Sequence, residues 1–370
     1  MAIDPSLRTG AVLEIDLDAI VANWRALAAR AAPALCAAVV KADAYRLGAA
    51  EVAPALAAAG CRLFFVATLD EAIALRRVLA EACEIAVLNG PVGGSSAEMA
   101  ALGFVPLLND PGQIAEWRET APSSAAAMLQ VDTGMARLGL GPREFDDFAE
   151  DPSARASIRW RGLVSHLACA DDPGHPLNER QRARFAAACE RFAGTPKSLA
   201  ASSGIFLGPA FHFDLVRPGA ALYGVNPQPG GRNPMRPVVR LGARILQIRE
   251  VEKGQPVGYG ATHVMAAPGR LATAAAGYAD GLLRSLSHRG CGFLGGERVP
   301  LVGRVSMDLA VFDVSAVEPS LAQRGGLIEL LGDDYGVDAA AADAGTIGYE
   351  ILTALGPRYH RVYRGGRFRC

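Results

Sequence analysis

Residues 35–45 read LCAAVVKADAY, a short apolar run that ends at Lys41. The residues before Lys41 are small or β-branched, which is typical of a strand buried on both faces of a parallel sheet. A lysine at the end of such a strand has its amine at the edge of a core, where burial disfavours the ammonium form. A neutral amine there can form a Schiff base with a carbonyl compound. Because most lysines are simply exposed, the rest of the chain decides between the two interpretations.

The composition is that of a folded protein with two domains or one large barrel and an appendage. The chain has 370 residues, 51% of them hydrophobic, and a formal net charge of −1 without a basic block. These values argue against disorder, nucleic-acid binding and attachment to an anionic membrane. No apolar run approaches the length of a membrane span, and the first residues lack the pattern of a signal peptide. We therefore expect a cytoplasmic protein with no nucleic-acid or membrane partner.

The seven cysteines stand singly along the chain. Neither C-x-x-C pairs nor Cys/His spacings typical of metal sites occur. We therefore expect free thiols in a reducing compartment and no bound metal.

From about residue 11 to residue 230, short apolar runs alternate with amphipathic stretches. About eight such βα units in this length favour a TIM-type (β/α)8 barrel. An open doubly wound sheet is the alternative, but it is expected to carry a glycine fingerprint where this chain has Lys41 and the residues after it. An acceptor at Asp16 or Asp18 is placed to cap the first helix. The predicted strands are 35–40, 63–67, 85–88, 104–108, 126–131, 160–166, 197–201 and 213–216, and the predicted helices are 18–31, 48–59, 69–80, 111–120 and 178–192.

The sequence changes character at residues 226–234, NPQPGGRNP, which are typical of a linker or long loop. Beyond them, β-rich runs at 238–251, 271–276, 298–302, 309–314 and 327–331 are separated by turn residues. We predict an N-terminal α/β barrel over residues 1–237 and a C-terminal all-β domain over residues 238–370.

Several polar residues follow predicted barrel strands, where the reactive groups of such barrels lie. Lys41 ends the first strand, Ser202 follows the seventh, and Arg217 and Gly219 follow the eighth. The loops after the seventh and eighth strands are those that bind phosphate in this fold. Tyr45 is placed to offer a hydroxyl to the same phosphate.

Two further residues are expected at this mouth of the barrel. His166 ends the sixth predicted strand, although a histidine there is more often structural than catalytic. Arg137 follows a glycine-bearing turn, and its planar guanidinium suits a carboxylate. In the second domain, glycines flank Tyr259 and precede and follow Tyr278, which suits projecting phenols, although a structural role is more common for each tyrosine taken alone.

Seven segments together resemble the bacterial alanine racemase family, which are fold-type-III pyridoxal phosphate enzymes. They occur in the family's order and span nearly the whole chain, so the match is far more specific than any single motif. The segments are AVVKADAY at 38–45, VDTGMARLG at 131–139, SHLACA at 165–170, VRPGAALYG at 216–224, VGYGAT at 257–262, GYADG at 277–281 and GRVSMD at 303–308.

The resemblance implies interconversion of L-alanine and D-alanine with pyridoxal 5'-phosphate held on Lys41, and a supply of D-alanine for peptidoglycan. Lys41 would serve the proton of D-alanine and Tyr259 that of L-alanine. It also implies a head-to-tail homodimer in which Tyr259 and Met307 reach the active site of the other subunit. Arg217 would face the pyridine nitrogen without giving up a proton. By the same resemblance, the cofactor-binding residues are Lys41, Tyr45, His166, Ser202, Arg217, Gly219 and Ala220, the substrate-binding residues are Arg137 and Met307, and the supporting residues are Gln130, Tyr278 and Asp308.

The chain departs from the family pattern at three places. Gln130 stands where many members have a carbamylated lysine that supports the arginine matching Arg137. Either the Gln130 amide oxygen orients Arg137, or a bound anion supplies the missing charge. In addition, Arg46-Leu47-Gly48 replaces a Gly-His-Gly segment, and Pro357 replaces a tyrosine.

Three other functions compete with that of an alanine racemase. A decarboxylase on the same barrel would have an acidic residue in place of Arg217. A non-catalytic pyridoxal phosphate carrier would lack the second domain that contains Tyr259. A broad-specificity racemase is the remaining alternative, but those enzymes are often exported.

Overall fold

The structure, a computed structural model, describes residues 8–366. The predictions about the first seven residues and about Cys370 lie outside this range. The chain divides into two compact units. The barrel unit comprises 20–222 and 226–236, and the sheet unit comprises 8–19, 223–225 and 237–366.

The first two elements of the chain are strand β1 (Ala11–Asp16) and helix α1 (Leu17–Ala31). Asp16, one of the two candidate capping residues, accepts a hydrogen bond at Oδ1 from the backbone N–H of Ala19 at 2.8 Å. Asp18 instead accepts from the backbone N–H of Gly366 at 3.1 Å. Asp16 therefore caps helix α1, while Asp18 binds the backbone of Gly366, the last described residue.

The barrel unit alternates strands and helices, as predicted. Its remaining helices are α2 (Lys41–Arg46), α3 (Ala49–Ala58), α4 (Leu69–Arg76), α5 (Ser96–Ala101), α6 (Pro111–Thr120), α7 (Pro142–Glu150), α8 (Pro152–Ala156) and α9 (Pro176–Arg191). Its strands are β2 (Leu35–Cys36), β3 (Ala38–Val39), β4 (Leu63–Val66), β5 (Glu84–Val87), β6 (Val105–Leu108), β7 (Ala126–Gln130), β8 (Arg159–Val164), β9 (Lys197–Ser198) and β10 (Leu215–Val216).

The strands of the barrel unit close on themselves. Strands β3 to β9 form a seven-stranded parallel sheet in chain order, and β10 pairs in parallel with β2. A hydrogen bond of 2.9 Å from Arg217 N to Ala200 O joins the β9 and β10 segments, and another of 2.9 Å runs from Val39 N to Pro218 O. Because β2 and β3 are two parts of the first strand, the eight-stranded barrel predicted from the sequence is confirmed, and the open sheet is not formed.

The interior of the barrel is filled by apolar side chains from alternate strand positions. Phe65, Leu107 and Met128 are completely buried there. The other buried members of this core are Ala37, Val39, Leu63, Ala86, Val105, Ala126, Val164 and Leu215. The core is therefore packed solid, and the functional groups lie at the ends of the strands.

The sheet unit contains the β-rich runs predicted beyond residue 238. The strands are β11 (Val239–Val251), β12 (Pro256–Val257), β13 (His263–Val264), β14 (Gly269–Ala274), β15 (Cys291–Leu294), β16 (Glu297–Pro300), β17 (Ala310–Asp313), β18 (Leu327–Leu331) and β19 (His360–Arg364). In the sheet they lie side by side in the order β16, β15, β18, β11, β1 and β19, and β14 joins β11 to β17. The 3-10 helices of the chain are Ser203–Leu207, Pro209–Phe211, Ala220–Tyr223, Tyr259–Ala261, Tyr278–Asp280 and Arg284–Leu286.

The sheet unit is rich in strands, as expected, but it is not all-β. Helices α10 (Val337–Ala344) and α11 (Gly348–Ala354) lie between β18 and β19. The first of these reads VDAAAADA, and alanine is the strongest helix former. Local propensity therefore accounts for this departure.

Residues 8–19 belong to the sheet unit, although the sequence assigned residues 1–237 to the barrel. The reason is the pairing of β1, which is antiparallel to β11 and parallel to β19. Ala11, Leu13 and Ile15 point to one face of β1 and are buried, while the residues between them are more exposed. An edge-to-edge pairing with strands more than 200 residues away is not visible in the local sequence.

Two further predictions concern the described part of the chain. Within residues 8–366, no helix combines the length and the apolar character needed to cross a membrane. The six cysteines in that range are free thiols, as expected.

Candidate active site

Lys41 lies two residues after Val39, the last residue of the barrel strand β3, and its side chain is half-buried. Among the described residues, its amine makes no hydrogen bond or ion pair. Burial lowers the pKa of Lys41, the positive charge of Arg137 lowers it further, and the negative charge of Glu71 raises it. The amine is therefore more readily neutral than an exposed lysine, as the sequence predicts for a nucleophile.

The backbone after Lys41 forms a left-handed helical turn. Residues 42–45 have φ between 52° and 56° and ψ between 41° and 51°, and Arg46 has φ 65°. A left-handed turn costs about 1–2 kcal/mol per non-glycine residue, because Cβ approaches the following carbonyl oxygen. None of these residues is glycine, so contacts with the rest of the barrel unit must maintain the turn.

Two carboxylates hold this turn at its ends. Glu71 Oε1 accepts a hydrogen bond from Ala42 N at 2.7 Å, and Asp43 Oδ1 accepts one from Ala49 N at 2.7 Å. Bonds between carboxylates and backbone N–H groups are among the stronger hydrogen bonds in proteins. The turn therefore has a defined start beside Lys41 and a defined end before helix α3.

Sequence analysis did not identify Glu71 as a site residue. The signal that marks it is local, since TLDE at 68–71 is a capping box. That motif predicts the start of α4 but gives no indication that the same carboxylate also binds Ala42 N.

Ser202, Gly219 and Tyr45 come together on the barrel unit. Ser202 Oγ accepts hydrogen bonds from Gly219 N at 3.0 Å and Ala221 N at 3.2 Å. A Cβ atom on Gly219 would lie 2.5 Å from Tyr45 Oη, so only glycine permits this approach. Ala220 opens the 3-10 turn that follows, where the first N–H has no partner inside the turn. The two hydroxyls and this backbone form a polar cluster, which we call the hydroxyl cradle.

Arg217 is buried beside the hydroxyl cradle. Its Nη2 donates to Ser165 O at 2.7 Å, and its Nη1 donates to Ser198 Oγ. Burial lowers the pKa of Arg217 to about 10, so the guanidinium stays charged at neutral pH. A cation is therefore held rigidly inside the barrel mouth.

His166 follows β8 on the same unit. Burial lowers its pKa to about 3, and the positive charges of Arg217, Arg137 and Lys41 contribute to the shift. The imidazole is therefore neutral at physiological pH. It lies near three cations, Arg217, Arg137 and Lys41.

Arg137 lies on a loop shaped by Asp132. The carboxylate of Asp132 accepts from the backbone N–H groups of Gly134, Met135 and Ala136 at 2.8–3.0 Å. The Arg137 side chain is exposed and makes no hydrogen bond or ion pair within the described range. Its positive charge nevertheless affects the pKa of Lys41 and His166, which places it near them.

Gln130 supports the Arg137 loop through the backbone. Its Nε2 donates to Leu138 O at 3.2 Å, and a Cβ on Gly139 would lie 3.1 Å from its Cγ. Within the described residues, the Gln130 amide oxygen makes no hydrogen bond to the Arg137 guanidinium, and the bound anion stays a prediction. Gln130 instead positions the residue after Arg137.

The remaining predicted residues lie on the sheet unit. Tyr259 is 72% exposed and Met307 is 54% exposed in the single chain. Tyr278 N donates to Ser306 O at 3.0 Å, which joins the Tyr278 loop to the loop that carries Met307 and Asp308. Large exposed apolar side chains on neighbouring loops are candidates for contact with a ligand or a second protein surface.

Arg358 holds these two loops together and was not identified from the sequence. Its Nη1 donates to Asp308 Oδ1 at 2.8 Å and its Nε donates to Asp280 Oδ1 at 2.6 Å. Asp280 Oδ2 in turn accepts from Gly277 N at 2.9 Å. Arg358 follows Pro357, the position at which the chain departs from the family pattern.

Both parts of the chain match a known family. Residues 15–227 match the alanine racemase N-terminal domain, and residues 238–363 match the alanine racemase C-terminal domain. The chain belongs to the alanine racemase family. An alanine racemase of Rhodospirillum rubrum is 52% identical over 364 residues, covering 97% of each chain. A catabolic alanine racemase of Mesorhizobium japonicum is 50% identical over 360 residues, covering 96% of this chain and 94% of the relative.

The fold agrees with solved structures of alanine racemases. The crystal structure of the alanine racemase of Bartonella henselae, which has covalently bound pyridoxal phosphate, is 42% identical with a TM-score of 0.92. The superposition covers 96% of this chain and 99% of the Bartonella henselae chain. The biosynthetic alanine racemase of Pseudomonas aeruginosa is 35% identical with a TM-score of 0.90, covering 96% of this chain and all of that one. The family predicted from the sequence, and with it the place of the chain among the racemases, is therefore confirmed.

Replacing Ala42 by glycine tests the strain of the left-handed turn. Ala42→Gly should raise the free energy of unfolding by about 0.5–1 kcal/mol, since glycine adopts this conformation without a Cβ penalty but is more flexible when unfolded. Ala50→Gly, in the right-handed helix α3, is the matched control and should lower it by about 0.5–1 kcal/mol. Urea unfolding measures both, and destabilisation by Ala42→Gly equal to that of the control would contradict the strain.

The half-buried, neutral His166 predicts a dependence of stability on pH. Its pKa is about 3 in the folded chain against a usual value of 6.5. Between these values the unfolded chain binds more protons, so this contribution to stability is present above pH 6.5 and is lost as the pH falls towards 3. His166→Asn should therefore lose less unfolding free energy than the parent chain between about pH 7 and pH 4.5. Equal losses in urea titrations at the two pH values would exclude this role.

Proposed function

We propose that the chain interconverts L-alanine and D-alanine with pyridoxal 5'-phosphate by a two-base mechanism. The observation that carries the proposal is the Lys41 amine at the end of the first barrel strand, which has no partner among residues 8–366 and lies near the cations Arg137 and Arg217. The names of the relatives support the reaction, and the covalently bound pyridoxal phosphate of the Bartonella henselae structure supports the cofactor.

The residues of the barrel unit fit this cofactor. A phosphate is bound well by hydroxyls and backbone N–H groups, which the hydroxyl cradle provides through Tyr45, Ser202 and the backbone at Ala220. A Cβ on Gly219 would collide with Tyr45 Oη, so the glycine lets the Tyr45 hydroxyl lie against this part of the backbone. Three nearby cations and a neutral histidine leave an excess of positive charge that suits a phosphate and a carboxylate.

When bound, pyridoxal phosphate withdraws electrons from the amino acid carried on it and so makes the Cα proton acidic. Lys41 would hold the cofactor through its amine until the amino acid takes its place there, and the released amine would then move the Cα proton on the D-alanine face. Tyr259 moves the proton on the L-alanine face through its hydroxyl. Two groups on opposite faces allow racemisation without either of them having to change sides.

The other residues bind and orient. Arg137 holds the substrate carboxylate with its planar guanidinium, and Met307 lines the substrate site. Arg217 faces the ring nitrogen and keeps its protons, and its bonds to Ser165 and Ser198 fix its direction. His166, Gln130, Tyr278 and Asp308 keep these groups in place.

We further propose a homodimer in which Tyr259 and Met307 of one copy complete the site of the other. The exposure of both side chains on the single chain supports this arrangement, because exposed large apolar residues are typical of contact surfaces. The Tyr259 loop has glycines on both sides with φ of 70° and 72°, which lets the phenol project.

Two variants test the reaction and the assignment of the bases. The purified chain with pyridoxal phosphate should abolish the optical rotation of an L-alanine solution, and Lys41→Ala or Tyr259→Phe should lower kcat/KM by about 10²–10⁴-fold. Tyr259→Phe should still exchange the Cα proton of D-alanine for deuterium from solvent, because Lys41 serves that face. Retention of optical rotation by the cofactor-loaded parent chain would refute the racemase.

Mixing the same variants tests whether the site is shared. In a dimer of Lys41→Ala with Tyr259→Phe, one of two sites has both bases, so a statistical mixture should recover about a quarter of the parent activity. Dimers of either variant alone serve as controls. No recovery, with mixed dimers shown by mass spectrometry, would place Tyr259 in the site of its own chain or outside it.

We also propose that the chain acts in the cytoplasm and supplies D-alanine for peptidoglycan. Bacterial relatives named alanine racemase support this role, whereas the Mesorhizobium japonicum relative is named catabolic. Expression in a bacterium that requires added D-alanine should restore growth without it, and Lys41→Ala should not. Failure of the expressed, active chain to restore growth would exclude the biosynthetic role.

A further inference from the structure

Glu71 binds three backbone N–H groups in two different loops of the barrel unit. Its Oε1 accepts from Ala42 N at 2.7 Å. Its Oε2 accepts from Ala67 N at 2.7 Å and from Thr68 N at 3.4 Å. One carboxylate therefore joins the segment after β3 to the segment after β4, the neighbouring strand.

The bond to Ala42 N acts on the peptide that follows Lys41. That peptide is the entry to the left-handed turn, whose residues 42–45 all have positive φ. Its orientation determines the direction in which the Lys41 side chain leaves the backbone. Because Thr68 Oγ1 accepts from Glu71 N at 3.3 Å, Glu71 is itself held by the start of α4.

Glu71 is also the only anion among the charged groups that affect the Lys41 amine within the described range. Arg137 has the opposite effect, because its positive charge lowers the pKa of Lys41. His166 is near the amine and neutral, and Asp43 and Arg46 lie on the turn itself. Within the described residues, Glu71 makes no ion pair with Lys41, and both of its oxygens accept hydrogen bonds from the backbone. The carboxylate therefore acts on the amine through space and leaves it free to react.

We infer that Glu71 is a positioning residue for Lys41, which fixes the backbone from which the lysine projects and supplies the negative charge that offsets Arg137. The inference deepens the proposed function, because it concerns the same lysine. Glu71 then has two roles, since it completes the capping box of α4 and also positions the reactive amine of Lys41.

The test measures Lys41 directly in the full chain freed of cofactor with hydroxylamine. The chain contains three lysines, Lys41, Lys197 and Lys253, so trace acetylation over a range of pH can be followed for each by mass spectrometry. Lys197 donates to Phe192 O at 2.6 Å and Lys253 is exposed, and both serve as internal references. Hydrogen exchange of the peptide spanning residues 38–47 reports the backbone of the turn.

Glu71→Gln removes the charge and leaves one oxygen for three N–H groups. Exchange of residues 38–47 should become about ten-fold faster or more. The pH midpoint of Lys41 acetylation should move lower, because the anion that raises the pKa of Lys41 is lost. The midpoints of Lys197 and Lys253 should stay where they are.

Glu71→Asp and Asp70→Asn separate the two effects. Glu71→Asp keeps the charge but loses reach, so exchange should rise while the Lys41 midpoint moves less than in Glu71→Gln. Asp70→Asn changes the exposed neighbouring carboxylate of the same helix and should alter neither quantity.

Unchanged exchange and an unchanged Lys41 midpoint in Glu71→Gln would overturn the inference. Faster exchange without a shift of the midpoint would reduce Glu71 to a structural cap and would overturn it as well. If Glu71→Gln does not fold, unchanged exchange in Glu71→Asp is the overturning result. Neither readout needs racemisation, so a failure of the proposed function would be seen separately in the alanine assay.

Discussion

The hydrogen bond from Val39 N to Pro218 O is the contact on which the candidate site depends. It belongs to the pairing that closes the barrel between its first strand and its last. Closure brings the end of the first strand, with Lys41, next to the loop that carries Arg217 and Gly219. Without it, Lys41 and Tyr45 would lie at one edge of an open sheet, and Ser202 and Gly219 would lie at the other edge.

Closure also concentrates positive charge. Lys41, Arg137 and Arg217 act together on the pKa of His166, and Arg217 is fully desolvated. Such a cluster destabilises the folded chain in the absence of an anion, because like charges repel and buried charges lose their hydration. The same cluster favours a ligand with a phosphate and a carboxylate. The three positive charges therefore favour the binding of an anionic ligand and do not stabilise the folded chain.

The left-handed turn after Lys41 is a second feature that destabilises the folded chain on its own and is stabilised by hydrogen bonds to surrounding groups. Strained backbone persists at functional sites only where surrounding contacts determine it. Here the contacts are carboxylates, Asp43 within the turn and Glu71 from the next βα unit. In the sheet unit, Arg358 has a comparable task, since it ties Asp280 to Asp308 and so steadies the loops of Tyr278 and Met307.

The sequence by itself determined the βα alternation, the position of Lys41 at a strand end and the family, because apolar periodicity, helix caps and contiguous motifs are local properties of the chain. Only the tertiary structure decided that β1 joins the sheet unit, that Gln130 bonds to Leu138 O, and that residues 42–45 turn left-handed. No residue in ADAY favours that conformation on its own. It is imposed by hydrogen bonds that the backbone donates to groups such as Glu71, whose distance along the chain hides the contact until the barrel has closed.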